Sequence, residues 1–268
     1  GGVDETDAPR QGWISRLMSG ELMGSSGRGS EDSSSEGLEA SVVIMNWKRP
    51  QNVRQILDRM VNYKAVKEIL VWHCNPETVF TYDHLKVVSI VEPEANSVHG
   101  LNTRYMGCLR ASFEAVVTVD DDVLPLEHTI NHLLKAKLQH PDCLHATHGR
   151  NPRPGCVYNF QQTQDGLEAQ VVLTKVMVTD RRFCKAYFHY APVMEDIARN
   201  ATPIWNGEDI FMSLVSQKVT NQLPRRHSLP YSKLPGQGDG VSHNLKDHIK
   251  YRTAFLQAAT SRLGLKCE

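Results

Sequence analysis

The chain has 268 residues, enough for one large α/β domain or two small ones, and its 40% hydrophobic and 22% charged content suits a globular fold with a sizeable core. Lys plus Arg and Asp plus Glu both total 30, so no basic excess marks a nucleic-acid binder. No run approaches eighteen apolar residues, so nothing in the chain reads as a membrane span.

The chain opens on Gly1 rather than Met, and an upstream signal or anchor therefore stays an open expectation. In residues 1–40, Trp13, Ile14, Leu17, Met18 and Leu22 fall near helical spacing. They are followed by the Gly/Ser-rich SSGRGSEDSSSEG, and the reading is a flexible stem or linker ahead of one domain over 41–268.

From Ser41 strands and helices alternate. SVVIMNW is a continuous β-branched run, the mark of a buried strand, and Arg49-Pro50 ends it. In NVRQILDRMVNY, Val53, Ile56, Leu57, Met60 and Val61 share one helical face. KEILVWHC reads as a second strand, closed by the turn signal Asn75-Pro76, and LKVVSIVEP as a third. A helix from about Asn102 to Ser112 leads into AVVTV, the fourth strand.

Beyond it, EHTINHLLKAKLQHPD is a helix stopped by Pro141, and EAQVVLTKVMVTD is one strand or two. GEDIFMSLVSQKV reads as an amphipathic helix, and SHNLKDHIKYRTAFLQAATSRL as a closing helix. PRRHSLPYSKLPGQGDG, residues 224–240, is a Pro/Gly-rich loop too long for a mere connection. This rhythm predicts a mostly parallel sheet covered by helices, with ligands beyond the carboxyl ends of the strands.

The six cysteines, Cys74, Cys108, Cys143, Cys156, Cys184 and Cys267, include no CxxC pair, so the reading is buried thiols rather than a zinc site, with one or two disulfides left open. Asn200-Ala-Thr fits the glycosylation acceptor pattern, with Pro203 behind it.

Asp120, Asp121 and Asp122 stand at a predicted strand end. Asp120 and Asp122, two residues apart, can share a side, and their oxygens suit a hard cation such as manganese or magnesium. Such a cation stabilises charge on a departing diphosphate.

SVVIMNWKRP, ILVW, AVVTVDDDVL, HPDCLHATHGR, NGEDI and GVSHNLKDHIKYR occur in the order of the motifs of exostosin-like glycosyltransferases, family 64 enzymes with the GT-A fold. The resemblance runs from about Ser41 to Leu256, without a gap from Asn102 to Arg150. It implies a GT-A type Rossmann-like mixed sheet covered by helices and a Mn2+ (or Mg2+) dependent hexosyltransferase. The donor would be a nucleotide diphosphate sugar, in the first instance a UDP-sugar, and the acceptor a glycan or glycolipid, with retention. A Golgi or other secretory lumen, an upstream anchor and a homodimer are further expectations of the resemblance.

Carried across by position, Asp122 is the main metal ligand, with Asp120 also placed on the metal, and Asp120 or Asp121 holds ribose and donor sugar. Arg49 faces the diphosphate, for which a guanidinium fork is suited, and Asn102 and Arg104 face the nucleotide sugar. Glu208 and Asp209 stand at the donor hydroxyls and the reacting carbon, Arg252 reaches back to the diphosphate, and His243 meets phosphate or metal. Arg150 falls on a family arginine with a structural reading equally open.

Three departures stand out. Trp72 is followed by His73, Cys74 and Asn75 where the family has asparagines, leaving His73 and Asn75 as substitutes at the base. Lys175 replaces a common glycine, and Gly207 and Phe255 stand where animal members often carry two cysteines. The alternative is a GT-A domain that binds nucleotide sugar or glycan without turnover. A nucleotidyltransferase is disfavoured because MNWKRPQN has no Gly-rich phosphate loop.

Overall fold

The computed structural model describes residues 37–92, 95, 99–200, 207–236 and 247–267. The proposed stem up to residue 36, the sequon's Ala201 and Thr202, and His243 lie outside the described residues.

In chain order the named elements are β1 (Ala40–Asn46), α1 (Pro50–Met60), β2 (Val66–His73), β3 (Val87–Val91), α2 (Thr103–Arg110), β4 (Ala115–Val119) and β5 (Val123–Pro125). They continue with α3 (Glu127–Gln139), β6 (His145–Ala146), β7 (Gly149–Arg150), β8 (Val171–Val172), β9 (Val176–Asp180), α4 (Arg181–His189) and α5 (Ala191–Asn200). The last are α6 (Glu208–Thr220), β10 (Arg225–Arg226), β11 (Tyr231–Lys233) and α7 (His248–Arg262).

Seven strands form one sheet in the order β10-β6-β9-β4-β1-β2-β3. β1 runs parallel to β2 and β4, β2 to β3 and β6 to β10, while β9 is antiparallel to both β4 and β6. The predicted mixed, mostly parallel sheet is therefore present.

Alternation along β1 explains why helices cover both faces. Val42 and Ile44 enter one core with Ile56 and Leu57 of α1 and Ile130 of α3, whereas Val43 enters the other with Tyr105, Phe183, Phe211 and Phe255. Each large side chain buried in this way contributes about 1.5–3 kcal/mol.

Several elements differ from expectation. EAQVVLTKVMVTD divides into β8 and β9, and the 224–240 loop contains β10 and β11. The expected amphipathic helix α6 is buried at every position from Glu208 to Gln217, because β8, α4 and α7 all pack on it. Helices α4 and α5 were not anticipated, although Asp180 advertises the first. Its carboxylate accepts the Phe183 N–H at 2.9 Å, an N-cap preceding the buried face Phe183, Cys184, Tyr187 and Phe188.

Two disulfides are present: Cys108–Cys184 joins α2 to α4, and Cys156–Cys267 joins the loop after β7 to the segment after α7. Cys74 and Cys143 are buried free thiols.

The contact between α2 and β1 depends on a glycine. A Cβ on Gly107 would lie 2.6 Å from Val43 Cγ1, in a strand that cannot retreat. Gly107→Ala is expected to cost about 1–3 kcal/mol by overpacking, read as a lower urea midpoint at unchanged slope.

Candidate functional site

β1 and β4 are parallel neighbours and end at the same edge of the sheet. β1 delivers Trp47, Lys48 and Arg49 there, and β4 delivers Asp120, Asp121 and Asp122. The Asp120 N–H donates to the Lys175 carbonyl at 3.1 Å, which fixes the turn before β9 beside the acidic strand end.

Arginines from separate segments meet these acids. Arg104 of α2 donates to Asp120 Oδ1 at 2.7 Å and lies 3.8 Å from Glu208 Oε1, so one guanidinium spans both acidic groups. Arg49 donates to Asp121 Oδ1 at 2.5 Å and, through its other nitrogen, to the Gly236 carbonyl at 2.7 Å. Thr174 adds a weak hydroxyl contact to Asp120 at 3.4 Å. Burial pushes the Asp121 carboxyl up to about 6 against the pull of Arg49, and Asp120 and Asp122 add to the rise. Asp122 is also raised, first by burial and then by Asp120, with Lys175 and Arg49 opposing.

The loop singled out for its length is a strap over this edge. β11 pairs antiparallel with β5, the Leu234 N–H donates to the Asp122 carbonyl at 2.9 Å, and Arg49 holds Gly236. Asn52, on the buried face of α1, donates to the carbonyls of both Asp121 and Pro235 at 2.9 Å. Asn52 was not singled out in the sequence. Its signal was a buried amide next to Val53 on an otherwise apolar helix face.

Glu208 and Asp209 open α6. Asp209 pairs with Arg252 of α7 at 2.7 Å, and the Arg252 guanidinium lies over the Tyr158 ring at 4.4 Å. A helix start favours anions, yet burial dominates at Glu208: together with Asp209 it pushes this carboxyl up to about 7, against Arg104 and Arg252. The Tyr105 hydroxyl donates to the Glu208 carbonyl at 3.3 Å. Gly207 lies against Phe255: a Cβ on it would be 2.8 Å from two ring carbons. Gly207 and Phe255, the positions where the resemblance implies cysteines in animal members, thus face across one contact, with a ring filling the space.

The sequence candidates sort into three groups. Asp120, Asp121, Asp122, Arg49, Arg104, Glu208, Asp209 and Arg252 converge on one region by the contacts above. Asn102 stands at the N-terminus of α2, two residues from Arg104; its amide nitrogen donates to the His99 carbonyl at 2.9 Å and its amide oxygen accepts from the Tyr187 hydroxyl. Asn75 instead caps the short turn Pro76–Thr78 and donates to the Trp47 carbonyl at 2.9 Å, so its amide serves local structure. His73 is fully buried against Asn46 at 2.8 Å, and burial lowers its pKa. Arg150 lies in β7, nine-tenths buried.

Residues 40–261 match the Glycosyl transferase family 64 domain, and the chain belongs to that family. Among solved structures it resembles the mannosyltransferase PcManGT from Pyrobaculum calidifontis in complex with GDP-Man and Mn2+, at 14% identity and a TM-score of 0.50. The match covers 76% of this chain and 59% of that one, and at this identity it speaks for the fold alone. No curated protein sequence matches the chain. Among the described residues no helix is long and apolar enough to cross a membrane.

The raised Glu208 pKa has a defined consequence for stability. The folded chain holds this proton more tightly than the unfolded one, so stability is fully present below the ordinary carboxylate pKa and falls as pH rises through about 7. Glu208→Gln removes that loss. Its melting temperature should exceed that of the wild type by a few degrees at pH 8, with the gap closing towards pH 5. A gap independent of pH would contradict the assignment.

Proposed function

We propose that the chain is a metal-dependent glycosyltransferase that moves a hexose or N-acetylhexosamine from a nucleotide diphosphate sugar to a glycan or glycolipid acceptor, with retention. The observation that carries this reading is the convergence of the β4 strand-end aspartates with Arg104, Glu208, Asp209 and Arg252 in a family 64 domain. The exostosin-like motif order and a UDP-linked donor belong to the same reading.

The donor set fits a divalent metal chemically. Asp120 and Asp122 offer hard oxygens close enough for Asp120 to raise the Asp122 pKa, an excess of negative charge that suits a hard cation. Asp122 and Asp120 would hold it, and when bound it supplies Lewis-acid stabilisation of the diphosphate.

The remaining work falls to the protein. Arg104 ties the strand-end acids to Glu208, so the donor-binding and reacting sides keep a fixed spacing. Arg252 holds the Asp209 carboxylate in place through a buried pair. Arg49 and Asn52 keep the strap closed on the acidic strand end, which limits water at the diphosphate. Glu208, held near its neutral form by burial, is suited to hydrogen-bond a donor or acceptor hydroxyl. A lumenal setting is supported by the two disulfides, which persist where thiols are oxidised.

Hydrolysis of UDP- and GDP-linked sugars with Mn2+ tests the reading. Wild-type turnover should require the metal, and Asp122→Asn should reduce it by about 100-fold or more. Equal, metal-independent turnover in both would overturn the metal-ligand role. Nucleotide binding without hydrolysis or transfer to any acceptor would favour the non-catalytic alternative.

A further inference from the structure

Helix α4 packs behind α2 and is bolted to it twice. Cys184 of α4 is disulfide-bonded to Cys108 of α2, and one turn further along α4 the Tyr187 hydroxyl donates to Asn102 Oδ1 at the start of α2. Tyr187 is fully buried, with its ring 4.5 Å from Tyr105 and 5.3 Å from Phe211 between centroids. Phe211 belongs to α6, the helix that begins with Glu208, and Tyr105 donates to the Glu208 carbonyl. The Tyr187 ring therefore sits at the junction of the helices that carry Arg104 and Glu208.

The hydroxyl has a separate task. A phenol has one proton to donate, and the amide oxygen of Asn102 is a stronger acceptor than the Met194 sulfur 3.3 Å away. The other end of the amide is fixed as well, because Asn102 Nδ2 donates to the His99 carbonyl at 2.9 Å. With both ends held, the amide cannot flip, and Nδ2 keeps one further proton for a ligand beside Arg104.

We infer that Tyr187 is a positioning residue, whose hydroxyl orients the Asn102 amide towards the nucleotide sugar while the Cys108–Cys184 bond holds its helix in register. Burial raises the Tyr187 pKa well above its ordinary value, so the phenol remains a donor throughout the working pH range. Nothing in the sequence spacing connects residues 102 and 187; the link exists only once α4 lies along α2. The assignment rests on the nucleotide-sugar reading, which places Asn102 at the donor.

Calorimetric titration of the full chain with UDP and with GDP in the presence of Mn2+ separates the two ideas. The variants are Tyr187→Phe, which keeps the ring, Asn102→Ala, and the double change. Tyr187→Phe should weaken nucleotide binding about 5- to 10-fold, the worth of one neutral hydrogen bond. In the Asn102→Ala background the same change should have no further effect, because its only route to the ligand is gone. A purely structural hydroxyl would instead weaken binding equally in both backgrounds, which overturns the proposal, as does unaltered binding by Tyr187→Phe. A wild-type protein that binds neither nucleotide overturns the nucleotide-sugar reading and the assignment together.

Discussion

Carboxylates gathered at a partly buried edge of a sheet are the constraint on which this structure turns. Among the described residues, Asp120, Asp121, Asp122, Glu208 and Asp209 meet three arginines supplied by the end of β1, by α2 and by α7. Burial raises the pKa of Asp121, Asp122 and Glu208 despite those arginines. Removing one partner of the buried Asp209–Arg252 pair costs about 3–5 kcal/mol, because the remaining charge cannot return to water. The arginines are therefore part of the fold as much as of the site, and the charge they leave uncompensated is what a cation and a ligand can answer.

The same pairs tie distant segments together. Arg104 couples β4 to α6, Arg252 couples α7 to α6, and Arg49 couples β1 to both the acidic turn and the strap. Packing completes what charge begins. Gly107 lets α2 approach β1, and Gly207 lets the start of α6 lie against Phe255 of α7. An acid-rich edge held in this way is stiff before any ligand arrives, which lowers the cost of ordering it on binding.

Much of this was legible in the sequence because periodicity and strand-end chemistry are local signals. SVVIMNW, KEILVWHC and AVVTV are strands because their β-branched runs are buried on both faces of the sheet, and AspAspAsp stands out because an apolar strand precedes it. Motif order placed the chain in a glycosyltransferase family, as the domain match over 40–261 bears out. The partners of those acids were less legible. Arg49, read as facing a diphosphate, also closes on Asp121 and Gly236, and Asn75, read as a substitute at the base, also caps a turn. Both outcomes depend on tertiary neighbours that no spacing announces. Asn52 and Tyr187 escaped notice for the same reason: each acts across more than eighty residues of sequence. α6 read as amphipathic because its polar residues, Ser213, Ser216 and Gln217, resemble a solvent face, yet each finds a backbone carbonyl inside.

On the proposed reading, a divalent cation and a nucleotide diphosphate together complete the acidic edge. Thermal unfolding of the wild-type chain with Mn2+ alone, UDP or GDP alone, and each nucleotide with Mn2+ tests this most directly. Each single addition should raise the melting temperature little, and the pair should raise it well beyond the sum, because metal and diphosphate complete each other's coordination. A combined shift no larger than the sum of the separate shifts, for both nucleotides, would contradict the account.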